Sequence, residues 1–155
     1  MQRTHMNASE EEVRREVKKA ITQGLLSYNL IQLYSLLGTY TSMAQAEYRL
    51  IRSRKLRARY RGKYRIRGLM SVLTYETPEE AGRKFLERYQ KKILRSVCKH
   101  WREIKEERLD NLGLITWLAS DILQVIPDRY RSLTKIAVVI AFILFKMGLD
   151  KLCEG

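Results

Sequence analysis

The feature that most constrains the fold is the helix start Thr77-Pro78-Glu79-Glu80, which opens a long run of residues with helical periodicity. Threonine suits the N-cap because its hydroxyl accepts a hydrogen bond from a free amide of the first turn. Proline suits the first helical position, and glutamate suits the positive end of the helix dipole. Apolar residues then recur three or four positions apart, at Phe85, Tyr89, Ile93, Val97, Trp101 and Ile104. The spacing predicts an amphipathic helix over 78–109, whose apolar side other elements must cover.

The rest of the chain shows the same kind of periodicity between turn residues. It predicts further helices over 9–37, 41–54, 111–126 and 132–151, with Gly38 ending the first of them. The 155 residues are the length of one domain, and 45% of them are hydrophobic, which is enough for a core. We therefore expect an all-α bundle of about five helices, folded as a single domain over 1–155, with a basic β-hairpin-like or extended arm inserted at 56–68.

An unbroken apolar run extends from Ile136 to Phe145, between Lys135 and Lys146. A membrane-spanning helix needs about 20 apolar residues. The shorter run is more typical of a helix that is buried on all sides by its own protein.

The arm is predicted from a row of basic residues at every odd position, namely Arg57, Arg59, Arg61, Lys63, Arg65 and Arg67. A period of two is the side-chain period of an extended chain. In that conformation six cations point to one side, while Tyr60 and Tyr64 point to the other. Such a row of like charges is stable only in water or against a polyanion, so the pattern indicates a polyanion-binding segment.

Three conformations of this segment remain open. A hairpin with its turn at 61–63 pairs Tyr60 with Tyr64. A flexible arm is the second, and an extension of the preceding helix through Arg59 is the third. The two tyrosines are candidates for stacking on unpaired bases or for packing on the bundle.

A second basic surface is predicted on the helix over 78–109. Its lysines and arginines fall within an arc of roughly 80–100° when each residue turns by 100°. The stripe is about 27 Å long at a rise of 1.5 Å per residue. It consists of Lys84, Arg88, Lys91, Lys92, Arg95, Lys99 and Arg102, and we call it the basic stripe. A solvated face more often mixes the two signs of charge, so the stripe favours binding to a polyanion, although an ordinary wet face remains the alternative.

Charge is concentrated locally. The net charge is +13, and ten of the 30 lysines and arginines lie between Arg49 and Arg67, where there is no acid. Because lysine and arginine neutralise phosphates, we expect nucleic acid as the partner, with RNA or single strands favoured over duplex DNA. The expected function is non-catalytic, as an accessory subunit of a larger nucleoprotein complex.

No pattern of residues indicates an enzyme. His5 lies in the polar N-terminal segment, and His100 is expected near the apolar side of its helix. No glycine-rich phosphate loop and no metal-ligand spacing is present, so we expect no catalytic residue, cofactor or metal. Cys98 and Cys153 do not form a disulfide framework, and the opening is too polar for a secretory signal. These two observations indicate a reducing, cytoplasmic location.

The two C-terminal helices are strongly apolar, which has two explanations. They form the core of the bundle, or they form a surface for self-association or for a protein partner, with Trp117, Phe142 and Phe145 as anchors. The second explanation makes the chain a helical adaptor or scaffold, whose arginines meet an acidic partner. A further alternative is a membrane-associated effector whose apolar C-terminal hairpin enters lipid.

Overall fold

The computed structural model describes residues 8–60, 76–131 and 134–154, and confirms an all-α fold. Within these residues there is no β-strand. The helices are α1 (Ala8–Thr22), α2 (Leu30–Tyr60), α3 (Pro78–Glu106), α4 (Asn111–Val125), α5 (Asp128–Arg131), α6 (Thr134–Met147) and α7 (Leu149–Glu154), with a 3-10 turn at Leu25–Ser27.

The helix α6 lies at the centre of the fold. Every residue from Ile136 to Leu144 is buried, and α1, α2, α4, α5 and α7 surround it. Burying each large aliphatic side chain contributes about 1.5–3 kcal/mol, so the burial of this helix stabilises the fold strongly. The prediction of a helix buried on all sides is confirmed. Within the described part of the chain, no helix combines the length and the apolar character that crossing a bilayer requires.

The predicted helix over 9–37 is wrong, because the chain turns between α1 and α2. Gly24 has φ of 90°, a left-handed conformation that glycine adopts without steric cost. The new helix then begins with a reciprocal cap. The amide of Gln32 donates to Asn29 Oδ1 (2.8 Å), and the amide of Asn29 donates to Gln32 Oε1 (2.9 Å).

Gly38 was predicted to end a helix, and this prediction is wrong. The residue lies buried inside α2. The helix α2 contains the last part of the helix predicted over 9–37 and all of the helix predicted over 41–54, and it continues to Tyr60. The reason is a close helix contact. A Cβ at Gly38 would overlap the carbonyl oxygen of Pro78, and a Cβ at Gly82 would overlap that of Tyr34. Two backbones can approach this closely only where side chains are absent.

The contact also fixes the direction of α3 relative to α2. A Cβ at Gly38 would lie nearest to Pro78, and a Cβ at Gly82 would lie nearest to Tyr34. Further along α2, Gln45 shares a cavity with Glu76, which precedes α3. Residue numbers therefore rise along α2 as they fall along α3, and the two helices run antiparallel where Gly38 and Gly82 meet.

The start of α3 follows the prediction. The side chain of Thr77 caps it and accepts from the amide of Glu80 (3.2 Å). The helix ends at Glu106, three residues before the predicted end, and Arg108 follows with φ of 50°. Asp110 caps α4 by accepting from the amide of Gly113 (2.8 Å).

The last predicted helix, over 132–151, is divided in two. Gly148 separates α6 from α7 with φ of 95°. The short α7 packs against α3, where Asp150 Oδ1 accepts from Trp101 Nε1 (3.0 Å) and from Lys105 Nζ (2.8 Å).

The two cysteines form a disulfide that links α3 to α7. Cys98 and Cys153 are bonded across a Cα–Cα distance of 5.2 Å. Sequence spacing did not predict this pair, because the contact depends on how α7 folds back. The pairing bears on only one of the two observations behind the reducing, cytoplasmic location, and that location stays a prediction.

Candidate functional site

The basic stripe lies on the outward side of α3. Its opposite side packs into the core through Phe85, Leu86, Ile93, Val97, Trp101 and Ile104, all of them buried. All seven predicted basic residues of the stripe are exposed, namely Lys84, Arg88, Lys91, Lys92, Arg95, Lys99 and Arg102. The helix thus holds a row of cations on a rigid support.

Cations at or near the two ends of α3 form ion pairs with carboxylates. At the beginning, Lys84 binds the carboxylate of Glu76, and the hydrogen bond and the charge of that carboxylate raise the pKa of Lys84 above its usual range. Arg83 binds Glu79 Oε1 through Nε (3.1 Å) and Nη2 (2.9 Å), and its guanidinium lies 4.4 Å from the centre of the Tyr34 ring. At the other end, the hydrogen bond to Asp150 raises the pKa of Lys105.

The middle of the basic stripe has no such partners. Among the described residues, no carboxylate lies within 4.0 Å of the cationic nitrogens of Arg88, Lys91, Lys92, Arg95, Lys99 or Arg102. Glu87 and Glu103 flank the row, and Glu106 follows it at the end of the helix. Water and mobile ions must therefore balance six neighbouring positive charges. A polyanion that displaces those ions gains the free energy of their release.

The predicted arm is only partly within the described residues. Arg57, Arg59 and Tyr60 lie on α2, so extension of the preceding helix through Arg59, the third open conformation, is confirmed, and the prediction of an arm from residue 56 is corrected. The period of two therefore does not place these residues on one side of an extended chain, because successive residues of a helix turn by about 100°. Arg61, Lys63, Tyr64, Arg65 and Arg67 lie outside the described residues, so binding by them stays a prediction.

A polar cavity opens beside the first cations of the basic stripe, and sequence reasoning missed it. It has a volume of about 220 Å³ and lies between α2 and α3. Its lining consists of Thr41, Ser42, Gln45, Glu76, Ala81, Lys84, Phe85 and Arg88. No sequence signal predicts this cavity, because its two walls come from helices whose register depends on the glycine contact.

A second cavity, of about 320 Å³, lies between α1, α2 and α6. Glu16, Lys19, Tyr40 and Lys135 contribute its polar groups. Burial raises the pKa of the Tyr40 phenol, and the nearby Glu16 and Tyr28 raise it further. The Lys135 ammonium lies 5.8 Å from the centre of the Tyr40 ring. Lys19 Nζ lies 3.6 Å from Glu16 Oε1. Because the cavity carries charges of both signs, its lining does not favour a ligand of either charge.

The three residues predicted to anchor a partner take different positions. Phe142 is only 2% exposed and belongs to the core, so its prediction as a surface anchor is wrong. Trp117 and Phe145 are partly buried and pack against the core. The apolar C-terminal helices are thus largely internal, as the core explanation expected.

The groups considered for chemistry are dispersed. His100 is exposed rather than near the apolar side of α3, and Cys98 carries no thiol because it is bonded to Cys153. Among the described residues, no group of three histidine, cysteine or carboxylate side chains is placed to hold a metal ion.

Comparison with known proteins adds no relative. No protein-family model matches the chain, and no curated protein or solved structure matches it either.

Proposed function

We propose that this chain is a non-catalytic nucleic-acid-binding protein that serves as an accessory subunit of a larger nucleoprotein complex. The observation that carries the proposal is the row of six exposed cations on α3 that have no carboxylate partner among the described residues. The charge is local and aligned, whereas charge that serves solubility is usually interspersed with the opposite sign.

The spacing of the row suits a phosphate backbone. Successive cations from Arg88 to Arg102 lie at most four residues apart, which is a rise of about 6 Å along the helix. Since phosphates along one strand of B-DNA are separated by about 3.4 Å of axis, every cation of the row can reach a phosphate when its flexible side chain moves a few ångströms. A stripe of this kind holds the backbone and reads little sequence, so we expect affinity with low sequence preference.

The test is a salt titration of binding to fluorescently labelled single-stranded RNA, single-stranded DNA and duplex DNA. The variant Arg88→Gln/Arg95→Gln/Lys99→Gln removes three cations of the basic stripe. Because each phosphate contact contributes about 0.7 to the log–log slope for single strands and 0.9 for duplex DNA, the slope should fall by about two to three.

A matched control removes the same charge elsewhere. Arg14, Lys18 and Lys151 are exposed and have no ion pair among the described residues. The triple variant Arg14→Gln/Lys18→Gln/Lys151→Gln should change the slope by less than about one. Equal changes in both variants would mean that net charge, and not the stripe, drives binding. Absence of binding to all three nucleic acids near 100 mM salt would overturn the proposal.

A helical adaptor is the second candidate, and one observation favours it. All residues from 47 to 52 on α2 are exposed, although Tyr48, Leu50 and Ile51 are among them. Six consecutive helical residues cover every side of a helix. Apolar side chains beside Arg49 and Arg52 fit an acidic protein partner with an apolar anchor. Two results together would favour this candidate. The wild type would bind none of the nucleic acids, and the triple variant of the basic stripe would still bind an acidic protein partner.

A further inference from the structure

We infer that the polar cavity between α2 and α3 receives one unpaired nucleobase from the strand whose phosphates lie on the basic stripe. This inference rests on the proposed function and deepens it, because it identifies the ligand as a single strand with an accessible base.

The position of the cavity is the first argument. Lys84 and Arg88, the first two members of the basic stripe, also line the cavity. Any strand that follows the stripe to its beginning therefore passes the opening. Arg88 has no carboxylate partner among the described residues, which leaves its guanidinium available for the phosphate next to the inserted base.

The lining supplies groups for the edge of a base. The Gln45 amide donates one N–H to the Tyr130 hydroxyl (3.1 Å), which fixes the side chain. Among the described residues its carbonyl oxygen and second N–H have no other hydrogen-bond partner, and this pair of groups complements the N6 and N7 atoms of adenine. The Ser42 hydroxyl adds a second donor and acceptor, and the Thr41 oxygen can accept while its hydroxyl donates to the Gly38 carbonyl (3.2 Å). Glu76 also lines the cavity, where Lys84 binds its carboxylate.

An aromatic ring is part of the lining of the cavity. Phe85 is buried and is held between Tyr130, at a centroid distance of 4.8 Å, and Tyr89, at 4.9 Å. A fixed aromatic surface beside hydrogen-bonding groups is the combination with which proteins bind unstacked bases.

The volume argues against larger ligands. Pockets for drug-sized molecules have volumes of roughly 300–1,000 Å³. A cavity of about 220 Å³ suits a single planar ring system better than a complete nucleotide cofactor. A base inside a duplex is paired and stacked, and it cannot enter without first being extruded. The inference therefore predicts a preference for single strands.

The experiment compares three ligands of known structure. They are a 12-nucleotide deoxyadenosine strand, an all-abasic 12-nucleotide strand with the same number of phosphates, and a 12-base-pair duplex. With wild-type protein, base insertion should make the deoxyadenosine strand bind about tenfold more tightly than the abasic strand.

The variant Ser42→Phe fills the cavity and leaves every cation in place. It should lower affinity for the deoxyadenosine strand about tenfold, while affinities for the abasic strand and the duplex remain within about twofold. The variant Gln45→Leu, which removes the amide and not the space, should lower the same affinity and provides a second test if Ser42→Phe fails to fold.

Two results are distinguishable. If wild-type protein binds all strands but does not prefer bases over abasic sites, or if the cavity variants weaken all three ligands equally, the inference is wrong and the proposed function stands. If wild-type protein binds none of the three ligands, the proposed function is wrong, and the inference is wrong with it.

Discussion

Gly38 of α2 lies directly against Gly82 of α3, and a Cβ on Gly38 would stand 2.9 Å from the Gly82 amide nitrogen. The two helices approach at their backbones and run antiparallel past this point. The contact therefore sets the height of the basic stripe relative to α2, and it places Ser42 and Gln45 beside Lys84 and Arg88.

The variant Gly38→Ala tests this contact. In an ordinary helix interior, alanine is more favourable than glycine by about 1 kcal/mol. Here the added methyl group overlaps the Pro78 carbonyl oxygen, so the helices must separate. We expect a net loss of about 1–3 kcal/mol in the free energy of unfolding, measured by urea denaturation.

The neighbouring Thr39 provides the control, because its side chain is exposed on the same helix. Thr39→Ala should change the free energy of unfolding by no more than about 0.5 kcal/mol. A gain of stability in Gly38→Ala would show that the two helices do not touch at this position.

Removal of the disulfide should lower stability without changing the fold. The bond between Cys98 and Cys153 closes a loop with a sequence separation of 55 residues. Disulfides stabilise mainly by restricting the unfolded chain, so Cys98→Ser/Cys153→Ser should cost about 2–4 kcal/mol in urea denaturation. A reductant should produce a similar loss in the wild type and none in the variant. Two titratable thiols in the native wild-type protein under oxidising conditions would contradict the pairing.

The ion pair that docks α7 should give stability a dependence on acid pH. Hydrogen bonds from Lys105 and then from Trp101 lower the pKa of Asp150 from its ordinary value of 3.8. A lowered folded-state pKa contributes stability that is present above pH 3.8 and is lost as the pH falls through the folded-state pKa. The raised pKa of Lys105 extends the contribution to alkaline pH, where it is lost only above 10.5.

The measurement is the difference in urea midpoint between the wild type and Asp150→Asn at a series of pH values. The wild type should have the higher midpoint between about pH 5 and pH 9, and the difference should shrink below pH 3.8. A difference that stays constant down to pH 2 would show that the ionised carboxylate does not provide it.

The helical class and the amphipathic character of α3 are predictable from the sequence because both depend on local periodicity and capping. Thr77 caps α3 and Asp110 caps α4, as residues of their types do at helix starts. The buried apolar run of α6 follows from composition in the same way. The exposed row from Arg88 to Arg102 was also predictable, since it needs only the helical angle.

The sequence-based predictions that the structure corrects depend on the role of individual glycines and on contacts between segments that are distant in the chain. Gly38 reads as a helix end when only its neighbours are considered, and only the presence of Gly82 on another helix explains its position inside α2. Gly24 and the Asn29–Gln32 cap did carry a signal of the first turn, which apolar periodicity across the turn concealed. The disulfide and the polar cavity require three-dimensional register, which periodicity does not contain.

The position of Phe142 leads to a stability prediction that separates core from interface. The side chain is 2% exposed, so Phe142→Ala should cost about 3–5 kcal/mol in the free energy of unfolding. Ile31 on α2 is 55% exposed, and Ile31→Ala should cost less than about 1 kcal/mol. A Phe142→Ala protein that retains wild-type stability would place this side chain at a surface and restore it as a partner anchor.

Two lysines on α3 should have opposite roles, although they are only six residues apart. Lys105 is held by Asp150 at 2.8 Å, whereas Lys99 has no carboxylate within 4.0 Å among the described residues. If the stripe binds phosphates, Lys99→Gln should lower the log–log salt slope of nucleic-acid binding by about 0.7–0.9 and leave the urea midpoint unchanged. Lys105→Gln should lower the urea midpoint and change the slope much less, because its ammonium is already engaged. Equal effects of the two variants on the slope would show that binding responds to total charge, and that the partnerless cations of α3 have no special role.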